Sequence, residues 1–86
     1  MDRERFEQIF KETEVDYSVH DDRTLAGLNI LAKYTQKPVI SAAEHDKIYC
    51  SDIDDFIETI TEEDAIQLRK LGFNIESDHD CLYHFV

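Results

Sequence analysis

The stretch EHDKIYC, residues 44 to 50, is nearly repeated as DHDCLYH, residues 78 to 84: an acid, a histidine, an aspartate, any residue, a branched aliphatic and a tyrosine. Both acid-His-Asp clusters sit between short runs of strand formers. PVISA and KIYC flank AEHD, and FNIE and CLYHFV flank SDHD, so each cluster reads as the turn of a β-hairpin. A shift of 34 residues aligns Glu44 with Asp78, His45 with His79, Asp46 with Asp80 and Tyr49 with Tyr83, and also pairs Pro38 with Gly72. Both of the last pair stop helices. The chain is thus expected to run helix, stop, strand, acidic turn, strand, twice over.

The helices follow from apolar spacing. Phe6, Ile9 and Phe10 share one face of an N-terminal helix that should pack through its two phenylalanines. EVDYSVHDD breaks that pattern. Asp21 or Asp22 can then cap a second helix, roughly residues 23 to 34, with Leu25, Leu28, Ile30 and Leu31 as its apolar set. Gly27 weakens that helix and marks a close approach to another element. Ser51 or Asp52 can cap a third helix carrying Ile53, Phe56, Ile57 and Ile60 at i, i+3, i+4 and i+7. Thr61 opens a fourth, with Glu62, Glu63 and Asp64 at its positive end, Arg69 and Lys70 in its last turn, and Gly72 closing it so that Phe73 meets Leu68. The expected architecture is one α+β domain, residues 1 to 86, of about four helices on a small antiparallel sheet made of two hairpins. Its expected core is Leu25, Leu28, Leu31, Ile40, Ile48, Ile57, Leu68, Phe73, Ile75, Tyr83 and Phe85.

A chain of this length supports one modest core and one main surface function rather than a deep, enclosed active site. With 42% hydrophobic residues it can fold despite 34% charged residues, and two Gly and one Pro argue for regular elements joined by short turns. MDRERFEQIF has no apolar run fit for a signal peptide and no stretch reaches membrane-spanning length, which points to the cytoplasm. In that reducing setting Cys50 and Cys81 are expected as free thiols.

Zinc ligand types occur at His45, His79, His84, Cys50 and Cys81, but their spacing matches no structural zinc motif, and a calcium loop from Asp52 fails at Phe56 and Ile57. No metal or cofactor is expected. The acid-His-Asp turns supply residues for a general base and either cysteine for a nucleophile, yet neighbours on a strand point to opposite faces, and no phosphate loop or nucleophile elbow accompanies them. The protein is expected not to be an enzyme.

Charge is the stronger signal. The net charge is −11, and residues 41 to 86 hold 12 acids against 3 bases, whereas residues 1 to 40 hold 8 against 6. Glu44, Asp46, Asp52, Asp54, Asp55, Glu58, Glu62, Glu63 and Asp64 face only Lys47 within their own stretch. Such a field disfavours direct binding to nucleic acid or anionic membranes and favours a basic protein surface. Carboxylates three or four apart on two successive helices would lie about 5–6 Å from one another, close to the phosphate spacing of one DNA strand. The plain alternative is a solvated face that only keeps the protein soluble.

AEHDKIYCSDI, TEEDAIQLRKLGF and the terminal CLYHFV resemble a group of small acidic proteins of phages and mobile elements, over residues 24 to 86. The resemblance carries over no activity of its own, but a phage origin favours an inhibitor of a host enzyme, of the anti-CRISPR or anti-restriction kind, and the acidic surface adds the expectation of a DNA mimic in the host cytoplasm. Residues 1 to 20 lie outside it and are read as an added element for partner binding or dimerisation. The expected function is therefore non-catalytic binding through Glu44, Asp46, Asp52, Asp54, Asp55, Glu58, Glu62 and Glu63. An assembly protein that oligomerises through a hydrophobic surface is the alternative, and a metal-dependent regulator or small enzyme built on the His and Cys residues comes third.

Overall fold

A computed structural model of the chain describes residues 1–19 and 21–86. His20, in the EVDYSVHDD break, lies outside the described residues. The order is α1 (Arg3–Glu12), α2 (Arg23–Ala32), β1 (Ile40–Glu44), β2 (Lys47–Asp52), a 3-10 turn (Ile53–Asp55), α3 (Glu62–Lys70), β3 (Phe73–Glu76) and β4 (Cys81–Phe85). The strands form one antiparallel sheet in the order β1-β2-β4-β3. This is the expected α+β class, with both hairpins in place and joined through β2 and β4. In that central pair Tyr49 lies opposite Tyr83, so the two tyrosines aligned by the 34-residue shift pair across the strands.

Each helix starts where a short polar side chain takes up an orphan N–H. Asp2 accepts from Arg5 N at 2.8 Å, Asp22 from Leu25 N at 3.0 Å, and Thr61 from Asp64 N at 3.1 Å. Gly72 takes φ 95° just past α3, the left-handed conformation glycine adopts without penalty, and its N–H donates to Arg69 O. His45 (φ 45°) and Asp80 (φ 56°) turn the hairpins in the same region.

The third expected helix is the one that fails. Residues 53 to 60 form a 3-10 turn and further turns, interrupted at Phe56, whose φ of −130° is not helical. A run of eight residues gains little from helical propagation alone, so tertiary contacts decide its path. The segment is instead pinned from outside: Ile53 N donates to Asp80 O at 3.0 Å, and the Met1 amino group donates to Ile57 O at 2.8 Å. Its apolar spacing still serves burial, since Ile53, Phe56 and Ile60 enter the core.

The core joins all three helices to one face of the sheet. Leu31, Ile48, Leu68 and Phe73 are buried as expected, while Leu28, Ile57, Ile75 and Tyr83 are only partly so. Leu25 (51% exposed), Ile40 (44%) and Phe85 (56%) are corrections. On α2 the buried pair is Gly27 and Leu31, and Leu25 is two residues out of phase with it. On β4, Leu82 and His84 point inwards, so Phe85 points out. Ile40 begins an edge strand, with no strand on its far side among the described residues. Cys50, Leu71 and Leu82 were missing from the expected core and are buried. Phe6, Ile9 and Phe10 are buried too, so α1 spends its apolar face on this chain's own core and leaves only its polar face for any partner.

Gly27 allows the close approach expected of it: a Cβ there would stand 2.0 Å from Cε1 of Phe73. Phe73 is held on its other side by His84, stacked at 4.3 Å between ring centroids. His84 is 2% exposed; its Nδ1 donates to Gly72 O at 3.1 Å, and its Nε2 accepts from the Thr24 hydroxyl at 2.9 Å. Burial lowers its pKa below the ordinary 6.5, outweighing the Gly72 bond, which raises it, and Arg23 adds a further lowering. The unfolded chain therefore binds the proton more readily. The stability contributed by neutral His84 is fully present above pH 6.5 and is lost as pH falls from there through the lower folded value. Urea denaturation at pH 7.5 and 5.5 should show lower stability at the acid pH, and His84→Gln should shrink that difference.

Candidate functional site

Six of the eight carboxylates expected to bind a partner lie at or beyond the end of β2. Asp52 ends that strand, Asp54, Asp55 and Glu58 lie on the turns that follow, and Glu62 and Glu63 occupy the first turn of α3. Glu44 and Asp46 belong to the β1–β2 hairpin end, at the other end of β2. Because 53–60 is not a helix, Asp54, Asp55 and Glu58 lack the regular helical spacing on which imitation of a phosphate backbone would depend.

Bases distant in sequence neutralise part of this surface. Lys37 pairs with Asp55 at 2.9 Å, Arg5 with Glu62 at 2.8 Å, and Lys33 with Asp64 at 2.7 Å. Arg3 chelates Asp80 and stands 4.0 Å from Asp54. The Arg5 hydrogen bond lowers the pKa of Glu62. Burial pushes Asp64 up, but Lys33 and the Tyr34 hydroxyl, both hydrogen-bonded to it, bring it below the usual carboxylate value. Among the described residues Glu44, Asp46, Asp52, Glu58 and Glu63 form no ion pair, and Asp54 is 84% exposed beside Arg3. These are the carboxylates a partner can reach.

The two acid-His-Asp turns do not converge. In the antiparallel β2–β4 pair Lys47 faces Phe85 and Asp52 faces Cys81, which puts the 45–46 turn and the 77–80 turn at opposite ends. The separation is about five residues of strand, roughly 17 Å. Among the described residues no three of His, Cys, Asp and Glu are grouped to hold a metal ion. Both cysteines are unpaired and buried; burial, with Cys81 adding to it, pushes the Cys50 thiol up to about 12, and burial also raises Cys81. A nucleophilic cysteine needs the opposite shift.

The sheet face away from the core carries features that charge counting missed. Lys47 lies 4.9 Å from the ring centroids of both Tyr49 and Tyr83, Phe85 packs edge-on to Tyr83, and His79 stands 6.2 Å from Tyr49. Between this face and β1 runs an open groove of about 340 Å³, lined by Ser41, Ala42, Glu44, Tyr49, Asp52, His79 and Cys81. A second, of about 310 Å³, is lined by Lys37, Pro38, Ile40, Ser41, Ser51, Asp52 and Asp55. The period-2 alternation of KIYC and CLYHF was the signal that could have placed the tyrosines together.

No family model, curated protein or solved structure matches the chain. Among the described residues no helix is long and apolar enough to cross a membrane.

Proposed function

We propose that this chain is a non-catalytic binding protein that blocks a basic, nucleic-acid-handling partner through its exposed carboxylates. The observation that carries the reading is the segment 52–63, where Asp52, Glu58 and Glu63 are exposed and form no ion pair among the described residues, and Asp54 is exposed beside Arg3, after Lys37, Arg5 and Lys33 have taken Asp55, Glu62 and Asp64. Exposed, unpaired charge of one sign steers a partner of the other sign and loses strength with salt. The paired carboxylates hold the fold's own bases and contribute less to a partner.

The test is capture from host lysate, elution by salt, and titration of the recovered protein. Asp52→Asn, Asp54→Asn and Glu58→Gln combined should weaken binding by on the order of tenfold at low salt. Asp55→Asn with Glu62→Gln should change it less. A partner that is not basic, or binding indifferent to salt and to the first triple variant, would overturn the reading. The exposed apolar residues Tyr17, Leu25, Phe85 and Val86 favour self-assembly as a second reading, which instead requires an oligomer that persists in high salt on sedimentation.

A further inference from the structure

The two edges of the sheet are finished differently. β3 is four residues long and partly buried, and the Phe73 carbonyl on it accepts from Arg69 Nη1 at 3.2 Å. β1 is exposed at every residue. Its register is irregular between Ile40 and Ala42, but Ala42, Ala43 and Glu44 pair regularly with Tyr49, Ile48 and Lys47. Strand edges are usually protected by charged residues, proline, a bulge or a covering element. Within β1, ISAAE, there is neither lysine nor proline, the irregularity is confined to its first residues, and among the described residues no strand lies on its far side.

Both grooves described above meet β1, sharing Ser41 and Asp52. One offers Glu44 and Asp52 beside the Tyr49 ring. The other, where Lys37 already holds Asp55, adds the hydroxyl of Ser51, a residue only 4% exposed whose Oγ has no hydrogen-bond partner among the described residues. A buried hydroxyl without a partner carries a cost that a ligand group reaching the groove would relieve.

We propose that β1 is a docking edge for an extended, basic segment of the partner, which adds to the sheet as an outer strand and places lysine or arginine side chains against Glu44 and Asp52. Main-chain hydrogen bonds give such strand addition its affinity, and the flanking grooves give it specificity. The charge decides the occupant: a second copy of this chain would bring another −11 and repeat the same carboxylates at the contact. The inference rests on the reading of a basic partner and specifies how that partner is held.

The test uses three synthetic octapeptides: alternating lysine and threonine, the same peptide N-methylated at alternate residues, and alternating glutamate and threonine. Amide shifts and hydrogen exchange of the labelled protein are followed by NMR. The lysine peptide should bind with protection of β1 amides, N-methylation should weaken it by on the order of tenfold, and Glu44→Gln with Asp52→Asn should weaken it similarly. Equal binding of the plain and N-methylated lysine peptides would overturn strand addition while leaving the charge reading intact. Equal binding of the glutamate peptide would overturn the basic occupant and the charge reading together. Failure of all three to protect β1 would overturn the docking edge, with the charge reading still decided by salt elution.

Discussion

Replacing Phe73 with alanine is expected to cost about 3–5 kcal/mol of folding stability, a large part of the roughly 4–13 kcal/mol that a domain of this size possesses. The ring is fully buried, lies against α2 at Gly27 and stacks on His84, so its loss opens a cavity between helix and sheet that neither rigid neighbour can fill. Gly27→Ala presses on the same ring from the other side. The alanine would favour the helix by about 1 kcal/mol, but its Cβ would meet Phe73 at 2.0 Å, and the overpacking should cost about 1–3 kcal/mol. The two changes are therefore coupled. With Phe73 already alanine, the methyl group at residue 27 enters vacated space, and Gly27→Ala should be neutral or stabilising. A double-mutant cycle by urea denaturation should give a coupling of about 0.5–3 kcal/mol. Strict additivity would mean that α2 does not seat on Phe73 as described.

That contact was legible in part before any coordinates. A glycine inside an otherwise apolar helix has few explanations, and close approach was one of them. The hairpins were legible because a period of two, bounded by acidic turns, has a single structural meaning, and Thr61 and Gly72 marked the ends of α3 for the same local reasons. The turn segment 53–60 was not, because i, i+3, i+4 spacing also arises when tertiary contacts fold a short loop back on itself. The ion pairs were invisible to a charge count along the chain: Arg5 and Glu62 are 57 residues apart and Arg3 and Asp80 are 77 apart. An acidic window thus overstated the charge offered to a partner. The open edge at β1 follows from the strand order, and nothing in two similar hairpins says which strand of each lies outside.

Phe6→Ala should destabilise the whole domain by about 3–5 kcal/mol in one cooperative transition, with far-UV and near-UV signals coinciding. The Phe6 ring lies 4.6 Å from that of Phe10 and 5.5 Å from that of Phe56, so it ties α1 to the segment that follows β2 and, through that, to the sheet. An N-terminal helix added for partner binding would behave otherwise, melting early while the sheet kept its stability. The surface pairs of α1 separate the two cases further. Arg5→Gln removes an exposed bond to Glu62 and should leave the transition nearly unmoved, since exposed ion pairs gain little over water. If instead Arg5→Gln loosened α1 and Phe6→Ala did not, the helix would be held by its charges. Its polar face would then be structural, and Glu62 could be drawn away by a basic partner at the expense of the fold.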